Sequence, residues 1–228
     1  MTELSEFEQN GFALWKGIID QSELYNLVYY KENWDHPNRG HDIEGRYYAT
    51  GVESVEWGNY WSEALTDHAD VRMIEQNNVR PVVDQVMQEP VFYHSDVSVL
   101  MPGSKSVRPH VDTPHRHELW NHQIRKRLGV QIAIPMQSFT EHSGSTAFLP
   151  ESHRQYWNIK ECYSGEHTEE FLAGCVQPAP EFGDMVMWDA RTLHSQMMNT
   201  THAPRYMLLF NYVEKSILDR LVEYEAGL

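Results

Sequence analysis

The sequence is poor in cysteine, poor in positive charge and free of long hydrophobic runs, and each shortage excludes something. Two cysteines in 228 residues, Cys162 and Cys175, match neither a disulfide framework nor a zinc-ligand spacing. Two reduced thiols are the expectation. Eighteen Lys and Arg against 33 Asp and Glu leave a net charge of −15. Nucleic acid and anionic membrane both select positive surface, so neither is an expected partner. No apolar run approaches the roughly 18 residues of a membrane span. The acidic residues 1–8 contain no apolar signal segment, so a cytoplasmic location is expected. Disorder is excluded by 41% hydrophobic and 12% aromatic residues. Length divided by the usual domain size gives about 1.5, read here as one domain over residues 1–228.

What the chain has instead is histidine, thirteen of them. Histidine is the commonest metal ligand, which makes a metal site worth seeking.

The coarse pattern puts helices first and strands second. Residues 2–9 read as a short helix broken at Asn10-Gly11, and 12–16 as a short apolar strand. Asp20 and Glu23 have capping-box spacing, opening a helix to about Tyr30. Residues 33–60 read as irregular. Thr66-Asp67 is a helix-cap candidate, followed by Val71, Ile74, Val79, Val82 and Val86 at helical spacing. Pro81 fits the first turn of a second helical piece. From Val91 the texture becomes strand-like: 91–100, 128–134, 145–149, 184–188 and 205–213, separated by turns. The whole predicts an antiparallel β sandwich or barrel over 91–213 with a mainly helical layer over 1–90.

Two ligands at i and i+2 on a strand share a face and can chelate one ion. Three His-x-Asp triplets occur: His68/Asp70, His94/Asp96 and His110/Asp112. The first falls in the expected helix, where i and i+2 diverge by about 200°. The second is geometrically able, though an ordinary polar strand face would look the same. The third follows a turn at Met101–Ser104 and Pro109, a placement that suits the mouth of a barrel. A distant third ligand is needed, and His194 is the candidate. Two histidines and one carboxylate form the ligand set of non-haem Fe(II) oxygenases, which leave positions open for a keto acid and dioxygen. The keto acid's far carboxylate needs a cation, for which Arg205 is the candidate because its planar fork matches a carboxylate.

On these residues the chain resembles the phytanoyl-CoA dioxygenase-like branch of the Fe(II)/2-oxoglutarate oxygenases. Phe7-Glu-Gln-Asn-Gly-Phe-Ala-Leu-Trp-Lys-Gly17 is similar to the family's opening helix and strand. Met101-Pro-Gly-Ser104 with His110-Val-Asp112 resembles its metal-binding turn. The segment from His142 to Arg154 resembles the stretch between the ligands, and Gly183, Asp184, His194, Asn199 and Arg205 match the C-terminal signature in type and order. The resemblance implies a mainly β fold with flanking helices, the double-stranded β-helix or jelly roll of cupin-like proteins. It implies iron held by His110, Asp112 and His194, and 2-oxoglutarate held by Arg205. It also implies oxidation of a C–H bond, with O2 consumed and succinate and CO2 released. Asp112 favours hydroxylation, because halogenating relatives carry a small residue there.

The chain departs from the pattern in places. Glu151 stands where the family usually has glycine. Gln131 falls where many members carry a tryptophan near the oxoglutarate, and Gln196 where some carry a serine on its carboxylate. Both are cofactor-binding candidates. Substrate candidates are His115, Arg116 and His117, which with His122 form either a lid or a solvated loop. Arg154 either reaches the pocket or bonds at its own turn. Tyr48, Trp57, Tyr60 and Trp61 form either an aromatic wall or part of the helical layer. The expected substrate is a small polar molecule. The alternatives are a cupin-like zinc or manganese isomerase or hydrolase on the same barrel, or a non-catalytic ligand-binding barrel. The oligomeric state is not legible.

Overall fold

The computed structural model describes residues 2–32, 46–47, 52–53, 60–106, 108–123 and 125–227. Its elements, in order, are α1 (Glu3–Asn10), β1 (Phe12–Trp15), α2 (Gln21–Glu32), β2 (Arg46–Tyr47), β3 (Val52–Glu53), β4 (Tyr60–Ala64), α3 (Ala69–Ile74), α4 (Arg80–Val83), β5 (Pro90–Leu100), α5 (Glu118–Asn121), β6 (Gly129–Pro135), β7 (Thr146–Phe148), α6 (Ile159–Ser164), α7 (Thr168–Gly174), β8 (Met185–Asp189), β9 (His194–Gln196), β10 (Arg205–Glu214) and α8 (Leu218–Glu225).

The opening helix forms where its caps dictate. Thr2 Oγ1 accepts from the Ser5 N–H at 3.3 Å, and Gly11 ends the helix at φ 86° with its N–H on the Phe7 carbonyl. A Cβ at Gly11 would meet His153 Nδ1 and Thr192 Oγ1 at 2.5 Å. Glycine is therefore needed both for the left-handed turn and for the close approach.

Antiparallel pairing builds a major sheet in the order β1-β8-β6-β10-β5-β4. Its strands read as nearly continuous apolar runs because both faces are covered. On the outer face Val97, Val99, Ile132, Ile134, Leu208 and Phe210 pack against Leu24, Leu27, Val71, Ile74, Val79 and Val82 of the helical layer. On the inner face Phe12, Ala133, Val186, Trp188 and Met207 pack against Phe148 of β7. That contact joins the major sheet to a minor one, in which β7 pairs with β9 and single bridges add His110 to His194 and Val176 to Phe148. The architecture is the mainly β jelly roll with flanking helices that the sequence implied.

Local details differ from the sequence reading. Asp20 and Glu23 do not form a reciprocal box: Asp20 Oδ1 accepts from the Ser22 N–H at 2.8 Å, and Glu23 turns to Asn77. Thr66 does not cap a helix. Its hydroxyl bonds across to β5, at the Ser95 N–H and carbonyl and at His94 Nδ1, and His68 takes the cap position of α3. Pro81 does sit in the first turn of α4, but a π turn over Glu75–Val79 runs α3 straight into it. The α8 helix had no sequence expectation; it packs through the buried Leu221 with Leu218, and Tyr224 lies against His117 and Trp120. Tyr48 and Trp57 lie outside the described residues, and of Tyr60 and Trp61 only the place on β4 is described.

Candidate metal and co-substrate site

Two strands carry the imidazoles face to face. His110 and His194 exchange both backbone hydrogen bonds, at 2.9 and 3.0 Å, so they occupy directly opposed positions on neighbouring strands. Their ring centroids are 4.4 Å apart. Asp112 is two residues from His110, and its N–H bonds the Ala190 carbonyl at 2.8 Å. Its Oδ2 lies 3.2 Å from His194 Nε2, and its Oδ1 lies 3.9 Å from His110 Nε2. One ligand atom from each of the three residues falls within 4.8 Å of the others. Among the described residues this is the one group of three or more such side chains that could hold a metal ion.

The surroundings aim these ligands. His110 Nδ1 lies 2.9 Å from the Arg108 carbonyl, and His194 Nδ1 lies 3.0 Å from the Thr192 carbonyl. Each carbonyl takes the Nδ1 proton, which leaves the Nε2 lone pair for a metal. Burial pushes the His110 imidazole down to about 4, with the neighbouring His194 acting in the same direction and Asp112 opposing. A neutral imidazole is the ligating form. Trp188 Nε1 donates to Asp112 Oδ2 at 2.7 Å and fixes the carboxylate's rotation. The ring of His194 packs between Phe148 and Trp188, with centroids at 6.0 and 5.3 Å.

Two residues beyond His194 and on the same strand face, Gln196 leads to the cation. Arg205 is fully buried, and its Nη2 donates to Gln196 Oε1 at 2.7 Å. Its guanidinium also meets Met207 Sδ at 3.3 Å and lies 5.5 Å from the Phe139 ring centroid. Gln196 Nε2 is buried without a hydrogen-bond partner. A guanidinium beside an unspent amide donor fits a carboxylate. The donor set, the paired strands and this orphaned N–H therefore suit a metal with a dicarboxylate ligand. Asn199 explains its own place in the signature. Its Nδ2 donates to the Leu100 and Ala203 carbonyls, and its Oδ1 accepts from Thr201, which locks the turn that delivers Arg205.

Other sequence candidates fall elsewhere. Gln131 pairs with Trp188 and with Asn211, and Asn211 lies six residues along β10 from Arg205, about 20 Å at strand rise. It faces the barrel interior beside Trp188, not the guanidinium. His115 is neither lid nor solvated loop: it is buried against the Asp189–Arg191 pair, and burial pushes it down to about 4. His117 bonds Glu225 of α8 at 3.1 Å, and the charge of Arg116 also acts on Glu225. These two residues stand by the C-terminal helix, and His122 is exposed. Arg154 lies at the surface, bonded to Glu151 and to the Glu8 carbonyl. Sequence reading missed Trp188, whose signal was an indole donor among the apolar residues of β8.

Comparison with known proteins follows from this geometry. A family model described as phytanoyl-CoA dioxygenase (PhyH) matches residues 7–207. Among solved structures, a non-heme alpha ketoglutarate dependent epimerase, SnoN from nogalamycin biosynthesis, aligns with TM-score 0.71 at 16% identity. The alignment covers 93% of this chain and 82% of that one. HygX from Streptomyces hygroscopicus, with nickel and 2-oxoglutarate bound, aligns with TM-score 0.71 at 12% identity, covering 94% and 88%. EctD from S. alaskensis, with 2-oxoglutarate and 5-hydroxyectoine, aligns with TM-score 0.66 at 17% identity, covering 93% and 75%. At these identities the likeness speaks for the fold. No helix among the described residues is long and apolar enough to cross a membrane.

Proposed function

The chain belongs to the phytanoyl-CoA dioxygenase (PhyH) family of Fe(II)/2-oxoglutarate-dependent oxygenases, and on that premise we propose that it hydroxylates a C–H bond of a small polar metabolite, releasing succinate and CO2. The observation that carries the proposal is the convergence of His110, Asp112 and His194 within 4.8 Å, joined through Gln196 on the same strand to the buried guanidinium of Arg205.

In this reading His110, Asp112 and His194 hold iron, and Arg205 with Gln196 holds the far carboxylate of 2-oxoglutarate. When bound, iron(II), the keto acid and dioxygen supply the oxidising chemistry. The protein's share is position and dryness. Trp188 keeps the Asp112 carboxylate in one orientation, and the Arg108 and Thr192 carbonyls hold both imidazole tautomers. Phe139, Phe148, Met207 and Leu209 line the interior with apolar surface that excludes water.

The test is succinate formation that requires Fe(II), 2-oxoglutarate and O2 together, with a weak visible band when Fe(II) and 2-oxoglutarate are added without oxygen. Arg205→Ala is expected to raise the 2-oxoglutarate requirement at least tenfold. Absence of both the band and the succinate would favour a cupin-like isomerase or hydrolase instead. The non-heme alpha ketoglutarate dependent epimerase among the structural relatives makes epimerisation the second reading. Product mass separates the two, because hydroxylation adds one oxygen atom and epimerisation adds none.

A further inference from the structure

We propose, resting on the oxygenase reading, that the prime substrate carries a cationic nitrogen and that Asp96 on β5 is its anchor. Strand register defines the wall on which Asp96 stands. Trp188, Gln131, Asn211 and His94 lie opposite one another across β8, β6, β10 and β5, and directly paired residues share a face. The next row is Val186, Ala133, Leu209 and Asp96, and the row after it brings Pro135, Met207 and Ser98. Because Trp188 bonds the metal-ligand candidate Asp112, this is the face that looks onto the metal site. Three strand spacings separate β8 from β5, about 14 Å, a span that a small extended molecule covers.

Three polar atoms on this wall have no hydrogen-bond partner among the described residues. Asp96 is 5% exposed, and its Oδ1 has no hydrogen-bond partner among the described residues. Ser98 Oγ, in a residue 1% exposed, and Asn211 Oδ1 are in the same condition. The other Asp96 oxygen lies 3.6 Å from His94 Nε2. The Thr66 hydroxyl has one proton, and the Ser95 carbonyl accepts it at 3.3 Å. His94 Nδ1 lies 3.2 Å from that hydroxyl. His94 itself is 37% exposed, which opens this end of the wall to solvent.

A buried carboxylate without a donor is costly. The charged groups that neutralise other buried partners are committed elsewhere. Arg127 and Arg191 bind Asp189, and Arg205 binds Gln196. His94 and Asp96 offer only two metal ligands, and among the described residues no third joins them, so a metal ion does not answer the need. An ammonium, amidinium or quaternary nitrogen does, and the chain's net charge of −15 favours its approach.

The experiment is a binding comparison on the anaerobic Fe(II)–2-oxoglutarate protein, using cationic probes matched to neutral counterparts. The pairs are cadaverine with N,N′-diacetylcadaverine, and choline with 3,3-dimethylbutan-1-ol. At least one cation is expected to bind tenfold or more tightly than its partner by calorimetry or ligand-observed NMR. Asp96→Asn is expected to erase that preference while 2-oxoglutarate affinity, read from the visible band, stays within about twofold. Asn211→Asp, which adds a second carboxylate to the same face, is expected to increase the preference. Equal binding of cations and neutral partners, or a preference that survives Asp96→Asn, would overturn the assignment. A wild-type protein that shows no 2-oxoglutarate band would instead overturn the oxygenase reading, whatever the cation arm reports.

Discussion

Two buried polar regions of this barrel have opposite habits. Around Asp189 every charge is answered from within the chain. Arg191 and Arg127 donate to its carboxylate, Arg127 also grips Glu8 and the Val86 carbonyl, and the same guanidinium lies over the Phe7 ring. Burial alone would raise the Asp189 carboxyl, but the two arginines outweigh it and hold the group well below the usual carboxylate range. On the inner faces of the two sheets the reverse holds: Gln196 Nε2, Asp96 Oδ1, Ser98 Oγ and Asn211 Oδ1 are buried with no hydrogen-bond partner among the described residues. The contrast teaches how to read burial. A saturated cluster is a fastening between α1, β8 and the loop before β6, whereas unsaturated donors and acceptors on the inner faces of the sheets point to a ligand.

Substitutions can break that contrast. The largest effect is expected at the metal ligands: Asp112→Ala or His110→Ala should leave folded protein with no detectable iron-dependent succinate formation, and full activity in either would contradict the ligand assignment. Next comes the fastening. Asp189→Asn takes the charged acceptor from Arg191 and one of several acceptors from Arg127, and should lower unfolding free energy by roughly 3–5 kcal/mol in denaturant titrations. Because the native carboxyl lies below its ordinary 3.8, its stabilising contribution is complete above that pH and fades as pH falls further, and the variant should lose this part of the acid sensitivity. Trp188→Phe removes only the donor to Asp112, and metal affinity should weaken about 10–100-fold, measured by competition with a chelator. The smallest effect is expected at Glu151, which adopts φ 63° and makes only surface contacts. Glu151→Gly should raise stability by about 0.5–1 kcal/mol with unchanged activity.

The left-handed backbone of Glu151 shows what the chain alone discloses. The sequence reading found glycine missing there, and the positive φ explains why glycine is the usual occupant. The strands over 91–100, 128–134, 145–149, 184–188 and 205–213 were legible from β-branched, aromatic and apolar residues bounded by turns, whereas β4 and β9 are too short and polar to carry such a signal. The iron-ligand candidates were legible through the i, i+2 spacing of His110 and Asp112 and the order of His194 and Arg205. The roles of the other histidines were not. His115 and His117 are neighbours of Asp112 in sequence, yet one is buried beside Asp189 and the other bonds a helix more than a hundred residues away. No local pattern carries that information. The place of Gln131 was not legible for the same reason, since its distance from Arg205 is set by the register of β6 on β10.

Residue type and spacing by themselves determined the apolar strands, the acidic balance and a ligand set suited to iron, because chelation by i and i+2 and the period-2 pattern are local properties. Only the tertiary structure decided which polar groups are spent and which remain. That choice depends on cross-strand register: it placed His194 opposite His110, handed Arg205 to Gln196, and left Asp96 Oδ1 facing the interior with no hydrogen-bond partner among the described residues.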